Sequence, residues 1–139
     1  MKGVISIVSV TLLFFIIGCH KPIGQYQESE FTWKEKEFKT NYQEIYRKIN
    51  DGFRNCSSSY LSGVPQGNLY TDIKKGHFDI YYQGYWGTKI NRPMGVIDVI
   101  ENREGNTVVR VGSLDRLSEK AAKMWLDFAA GKYICKPED

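Results

Sequence analysis

The feature that most constrains this chain is an uncharged apolar run near its start, Val4–Ile17. The run follows the basic residue Lys2 and is followed by Gly18-Cys19 and the polar segment His20-Lys21-Pro22. It is shorter than the roughly 20 apolar residues that a membrane-spanning helix needs, and it has the length of the hydrophobic region of a secretory signal. The alternative is a buried apolar strand with an incidental cysteine. If the signal is removed, about 120 of the 139 residues remain, enough for one domain with a core.

The end of this run is more specific, because Ile16-Ile17-Gly18-Cys19 resembles the lipobox of bacterial lipoproteins. The family prefers Leu where this chain has Ile16, and the resemblance covers only the first 20 or so residues. It implies a signal peptide over 1–18, cleavage before Cys19 and a lipid on the Cys19 thiol. Two or more acyl chains attach a protein stably to a membrane. In enteric-type lipoproteins an aspartate after the lipidated cysteine favours the inner membrane. Because His20 follows here, the resemblance implies the outer membrane, facing the periplasm.

Two cysteines remain in the mature chain, Cys56 and Cys135. Exported proteins meet an oxidising compartment, so we expect these two residues to form a disulfide. The alternative is a pair of buried free thiols or one reactive thiol. Neither cysteine has the cluster of basic neighbours that lowers a thiol pKa.

Charge does not indicate a nucleic-acid partner. The chain has 19 Lys and Arg against 16 Asp and Glu, and the basic residues are interspersed with the acidic ones. A nucleic-acid site would need a clustered basic face. No pattern indicates a cofactor.

The mature chain divides into a tether and one domain. Residues 19–31 contain Pro22 and Gly24 and have no apolar period, so they are predicted to be a lipidated tether before a domain over 32–139. Thr32-Trp33-Lys34-Glu35 fits a helix capping box. Apolar residues then recur at spacings of three and four up to Phe53, which predicts an amphipathic helix of about 23 residues.

Two β-hairpins and a second helix are predicted to follow. Leu69–Ile73 and Phe78–Tyr82 alternate in polarity, and Met94–Glu101 and Thr107–Val111 flank a turn at Arg103-Glu104-Gly105-Asn106. A last apolar stripe ends at Phe128, with Ser113 or Asp115 as its cap and Gly131 as its stop. The predicted fold is therefore α+β: helix, two β-hairpins forming a four-stranded antiparallel sheet, and helix. It would be a two-layer sandwich with both helices on one face.

No catalytic or metal constellation is present in the sequence. His77 with Asp79 is too small a set for a metal site, which needs three or four converging ligands. The serines lack a neighbouring base, and Asp72, Asp79 and Asp98 would act as a hydrolase pair only if two of them shared a cleft. We therefore expect no enzyme activity, no metal and no cofactor, with a small hydrolase as the less favoured alternative.

The strongest candidate for binding is the aromatic segment Tyr81–Gly87, in which four rings occupy six positions, followed by Lys89 and Arg92. If Tyr82 faces the core, Tyr81 faces away from it, and Tyr85-Trp86 can lie in solvent. Exposed Tyr, Trp and Arg are typical anchors of protein interfaces. The candidate binding residues are therefore Tyr81, Tyr85, Trp86, Lys89 and Arg92. The alternative is that these rings only close one end of the core.

These observations favour a non-catalytic lipoprotein of the bacterial envelope, held on the membrane by the lipid on Cys19. It would bind an envelope protein through the loop from Gly84 to Arg92 and the nearby sheet edge, as an accessory, assembly or inhibitory factor. The alternative is a module that binds cell-wall glycan, such as peptidoglycan, with Tyr81, Tyr85 and Trp86 as stacking surfaces.

Overall fold

The computed structural model describes residues 21–136. The predicted signal peptide and the lipidation site Cys19 lie outside these residues. The described strands are β1 (Thr32–Phe38), β2 (Val64–Tyr70), β3 (Lys75–Gln83), β4 (Lys89–Glu101) and β5 (Thr107–Ser113). The helices are α1 (Tyr42–Asn55) and α2 (Arg116–Ala129). Neither helix has the length and apolarity needed to cross a membrane, and the same holds for every helix among the described residues.

The five strands form one antiparallel sheet in the order β1-β5-β4-β3-β2. The pair β4–β5 is the second predicted hairpin. The pair β2–β3 takes the place of the first one, but its first strand is Val64–Tyr70 and not the predicted Leu69–Ile73, whose last residues form the turn. The strand β1 adds to the free edge of β5. At one end of the sheet Thr32 is paired with Ser113, and Ser113 with Gly95. The connection between β3 and β4 lies at the same end, and we call this the loop end of the sheet.

The general α+β class fits, but the predicted four-stranded sheet and the first helix are wrong in detail. Residues Thr32–Phe38, predicted as the start of a long helix, form the edge strand β1. The helix begins nine residues later than predicted, at Tyr42, where the Asn41 side chain accepts the backbone N–H of Glu44 at 2.9 Å. The Thr32–Glu35 capping pattern is a local signal. The unpaired backbone of β5 offers residues 32–38 a full ladder of hydrogen bonds, which outweighs that preference.

The core lies between the two helices and one surface of the sheet, which we call the helix face. Its fully buried side chains include Ile45 and Ile49 from α1, Phe78 and Ile97 from the sheet, and Trp125 from α2. The Trp125 Nε1–H donates to the Ser62 carbonyl at 3.0 Å, so the one polar atom of this ring is paired. Asp115, one of the two predicted caps, accepts the backbone N–H of Ser118 at 2.8 Å and begins α2.

The two helices pack closely at Gly52 of α1. The ring of Phe128 lies over Gly52 and also meets Phe53, with ring centroids 5.4 Å apart. A Cβ at position 52 would lie within 2.7 Å of three Phe128 atoms, so only glycine fits this contact.

Gly52→Ala is therefore expected to lower the free energy of unfolding by about 1–3 kcal/mol, because the new methyl group overpacks the helix contact. Helix propensity alone would predict the opposite, a gain of about 1 kcal/mol. Urea unfolding measures the difference. Gly24→Ala is the matched control, because nothing lies within 4 Å of a Cβ there. A more stable Gly52→Ala protein would contradict the packing argument.

The predicted pairing of Cys56 with Cys135 is confirmed: the two residues form a disulfide, with their Cα atoms 5.1 Å apart. Cys56 is the C-cap of α1, and Cys135 follows the end of α2 and the left-handed Gly131 (φ 76°). The Ser59 hydroxyl also donates to the Cys135 carbonyl at 2.8 Å. The bond therefore fixes the C-terminal segment to the end of the first helix.

The opposite surface of the sheet, which we call the open face, is covered in part by the segment before β1. Ile23, only 8% exposed, packs with Tyr81 and Val96, and Phe31 and Trp33 complete this second apolar cluster. Gly112 has no side chain to hold these two rings away from the sheet. The described part of the predicted tether, from Ile23 onward, is therefore packed on the domain.

Candidate functional site

The aromatic segment forms the connection between β3 and β4 at the loop end. Tyr85–Gly87 make a single 3-10 turn, held by the Thr88 hydroxyl, which donates to the Tyr85 carbonyl at 2.8 Å. Trp86 is 100% exposed and Tyr85 is 91% exposed. Trp86 also adopts the left-handed conformation (φ 61°, ψ 27°), which costs a non-glycine residue about 1–2 kcal/mol. This indole therefore carries a backbone cost and contributes nothing to the core.

The other three predicted binding residues contact the domain itself. Tyr81 is only 9% exposed, and it faces away from Tyr82, as predicted. The Lys89 ammonium lies 4.2 Å from the centre of the Tyr81 ring. The Arg92 guanidinium lies 4.6 Å from the centre of the Tyr82 ring. The structure therefore brings the five residues to one end of the sheet but leaves only Tyr85 and Trp86 projecting as rings.

A small charge network supports the base of the loop. The Tyr82 hydroxyl donates to the Asp115 carboxylate at 2.6 and 2.7 Å, and Arg92 approaches the same carboxylate at 3.5 Å. Burial raises the pKa of Tyr82 above its usual range. Burial also opposes ionisation of Asp115, but the N–H of Ser118 and the Tyr82 hydroxyl hold the pKa of that carboxyl below its usual range. The network joins the start of α2 to β3 and β4.

Beside the loop is an open groove of about 610 Å³. It is lined by Tyr60, Gln83, Gly84, Tyr85, Thr88 and Ile90. Tyr60 is 54% exposed, so two exposed tyrosines, Tyr60 and Tyr85, line the groove. The Gln83 Nε2 donates to the Ser57 carbonyl at 2.9 Å, whereas its Oε1 is buried without a hydrogen-bond partner among the described residues. A buried acceptor without a partner costs about 1–3 kcal/mol, so the Gln83 side chain is held here at a local energetic cost.

A second cluster of polar side chains lies on the open face, around His77. Its Nε2 is 2.9 Å from the Asp79 carboxylate and its Nδ1 is 2.8 Å from the Asp98 carboxylate. Hydrogen bonds to Asp79 and Asp98 raise the pKa of His77 to about 9, against the opposing effect of burial. Burial opposes ionisation of Asp98, yet His77 and Lys75 hold the pKa of Asp98 below its usual range. The imidazole is therefore a cation at neutral pH.

This charge state decides what the cluster can do chemically. A protonated His77 has no lone pair, so it cannot act as a base or bind a metal at neutral pH. The Asp98 carboxyl, whose pKa is held below its usual range, is paired with His77 and Lys75 and is therefore no proton donor at neutral pH. Among residues 21–136, no group of three or more His, Cys, Asp or Glu side chains could hold a metal ion.

Sequence reasoning missed Tyr60, Gln83, Thr88 and Ile90 as groove residues and Asp98 as a partner of His77. Gln83, Thr88 and Ile90 lie within the predicted aromatic segment or its loop, although they were not named as binding residues. Tyr60 comes from a separate segment that meets the loop only in the folded chain, so no local pattern could have included it. The contacts of His77 could have been predicted in part. His77 and Asp79 are two positions apart on one strand and therefore share a face of the sheet, and Asp98 is directly opposite His77 on the next strand.

No protein-family model, curated protein or solved structure matches the chain. Its fold and its candidate site therefore have to be interpreted from its own residues.

Proposed function

We propose that this chain is an envelope lipoprotein, lipidated on Cys19, that binds a protein partner and performs no catalysis of its own. The observation that carries the proposal is the groove beside the Tyr85–Gly87 turn, which is lined by the exposed rings of Tyr60 and Tyr85. Rigid aromatic rings around a pocket bury much area on binding at little entropic cost.

The anchor follows from the sequence and supports the same function. A lipid on Cys19 restricts the protein to the surface of one membrane, with the outer membrane and its periplasmic side as the proposed location. Partner binding at a membrane surface requires no catalytic group. The paired charges around His77 support a structural role for this cluster.

The test is cross-linking and mass spectrometry on tagged, lipidated protein in its own envelope. We expect a defined partner with the wild type and its loss in Tyr60→Ala/Tyr85→Ala, because both rings beside the groove are removed. Tyr70→Ala is the matched control, since Tyr70 is an exposed ring at the far end of β2. Equal capture by wild type and Tyr60→Ala/Tyr85→Ala would exclude the groove as the binding site.

Cell-wall glycan remains the second candidate, because exposed rings near polar groups also suit sugar rings. The burial of Tyr81 leaves the predicted three-ring stacking surface with two rings on this loop. Co-sedimentation with purified peptidoglycan that persists at high salt and needs Tyr85 would favour glycan over a protein partner.

A further inference from the structure

The chain enters the domain at the loop end of the sheet. Lys21 pairs with Glu30 at 2.8 Å, and Glu30 precedes Thr32, which is paired with Ser113 at that end. Ile23 packs against Tyr81, whose backbone partner is Pro93 near the start of β4. The entry segment and the Tyr85–Gly87 turn are therefore close to each other.

Covalent geometry limits how far a lipid on Cys19 can lie from this end. Ile23 is four positions after Cys19, and four extended residue steps span at most about 14 Å. A lipidated Cys19 would thus hold the loop end, rather than the opposite end with the β2–β3 and β4–β5 turns, next to the bilayer. Trp86, the most exposed ring among the described residues, belongs to this same end.

The side chains of the loop end are also of the types that bind at a membrane surface. Tryptophan and tyrosine concentrate at the level of the lipid headgroups, where an indole is stable on both its apolar and polar sides. Lys89 and Arg92 follow the turn. A shallow depression beside β1 and the start of α2 is lined by Lys34, Arg116, Lys120 and a single acid, Glu119. Each basic residue near an anionic membrane surface adds attraction within a Debye length.

We propose that Trp86 is a second membrane anchor, which inserts into the headgroup region of an anionic bilayer beside the lipid on Cys19. Lys89 and Arg92 lie over the headgroups, and the groove between Tyr60 and Tyr85 stands just above the membrane. This explains why a fully exposed indole is kept in a left-handed turn. The inference rests on the proposed lipidation, and it deepens the proposed function because the partner then has to present its binding surface at membrane level.

The test is quenching of tryptophan fluorescence by brominated lipids, with lipidated full-length mature protein in phosphatidylglycerol-containing vesicles. The chain has three tryptophans, of which Trp125 is fully buried. We expect quenching in the wild type and loss of most of it in Trp86→Phe. Tyr70→Trp in the Trp86→Phe background is the matched control, and its new indole at the opposite end of the sheet should not be quenched.

Equal quenching of wild type and Trp86→Phe, or none in either, would overturn the inference while the lipoprotein proposal stands. Loss of the cross-linked partner in Trp86→Ala, together with no quenching by lipid, would assign Trp86 to the protein interface instead. Intact mass of the mature protein reports the lipid on Cys19 separately. Its absence would reject the proposed anchoring, and the Trp86 readout would then be negative for that reason.

Discussion

Replacing Cys56 and Cys135 together with alanine is expected to lower the free energy of unfolding by about 3–4 kcal/mol. The disulfide closes a loop with a sequence separation of 79 residues. For a loop of this size the chain-entropy model gives about 4.5 kcal/mol, and measured values are usually lower. This is a large fraction of the about 5–15 kcal/mol by which single domains are stable. Urea unfolding of the oxidised wild type and the double variant measures the loss.

Reduced wild-type protein is the control that separates the cross-link from the packing of the sulfur atoms. Cys56 is fully buried, so alanine also removes some core contacts there. If the cross-link dominates, reduced wild type and the double variant unfold at similar urea concentrations. Both should also show a larger dependence on urea, because the unfolded chain without the bond exposes more surface. A loss below about 1 kcal/mol would mean that the Ser59 contact and helix packing already hold the C-terminal segment.

The elements with an unambiguous period were predictable from the sequence. The β4–β5 hairpin follows from Val- and Ile-rich alternation around a turn containing Gly105, which is left-handed in the structure (φ 81°). The second helix follows from an apolar stripe between the cap Asp115 and the stop Gly131. In these segments the local preference and the tertiary environment agree, so a local pattern is sufficient.

The first strand was not predictable in the same way, because β1 is stabilised by its neighbour rather than by its own pattern. Its sequence, Thr-Trp-Lys-Glu-Lys-Glu-Phe, is mostly charged and exposed, as is common for edge strands. What favours the strand is the ladder to β5 and the contact of Trp33 with the Arg110 guanidinium, 4.4 Å from the ring. Both are long-range contacts that appear only after the sheet is assembled.

The candidate site was also predictable only in part from the sequence. That an aromatic segment would project from a connection between strands was predictable from Gly84 and Gly87, which interrupt the alternation of β3. Which rings project was not predictable, since the burial of Tyr81 depends on Ile23, a residue almost 60 positions earlier. The unpaired Gln83 Oε1 likewise depends on the fold of the segment around Ser57.

The cluster around His77 belongs to a row of opposite charges that crosses the open face. His77, Asp98, Arg110 and Glu35 are directly opposite one another on four neighbouring strands. Lys75 and Asp79 contact the row from β3, and Glu28 pairs with Arg110 at 2.6 Å. When the imidazole is protonated, the two cations His77 and Lys75 face the two carboxylates Asp79 and Asp98. Deprotonation of His77 would leave these carboxylates with one cation fewer.

Stability is therefore expected to fall as the pH rises from about 6.5 to about 9. The folded state raises the pKa of His77 from 6.5 to about 9, so it binds this proton more tightly than the unfolded chain does. The stabilisation is complete below the unfolded pKa and is lost as the pH passes the folded pKa, and the two values correspond to about 3 kcal/mol. Urea unfolding at a series of pH values measures it. His77→Gln should be less stable at pH 6 and nearly independent of pH in this range. His20→Gln, which changes the only other histidine, should keep the wild-type slope, and a slope that persists in His77→Gln would assign it to another group.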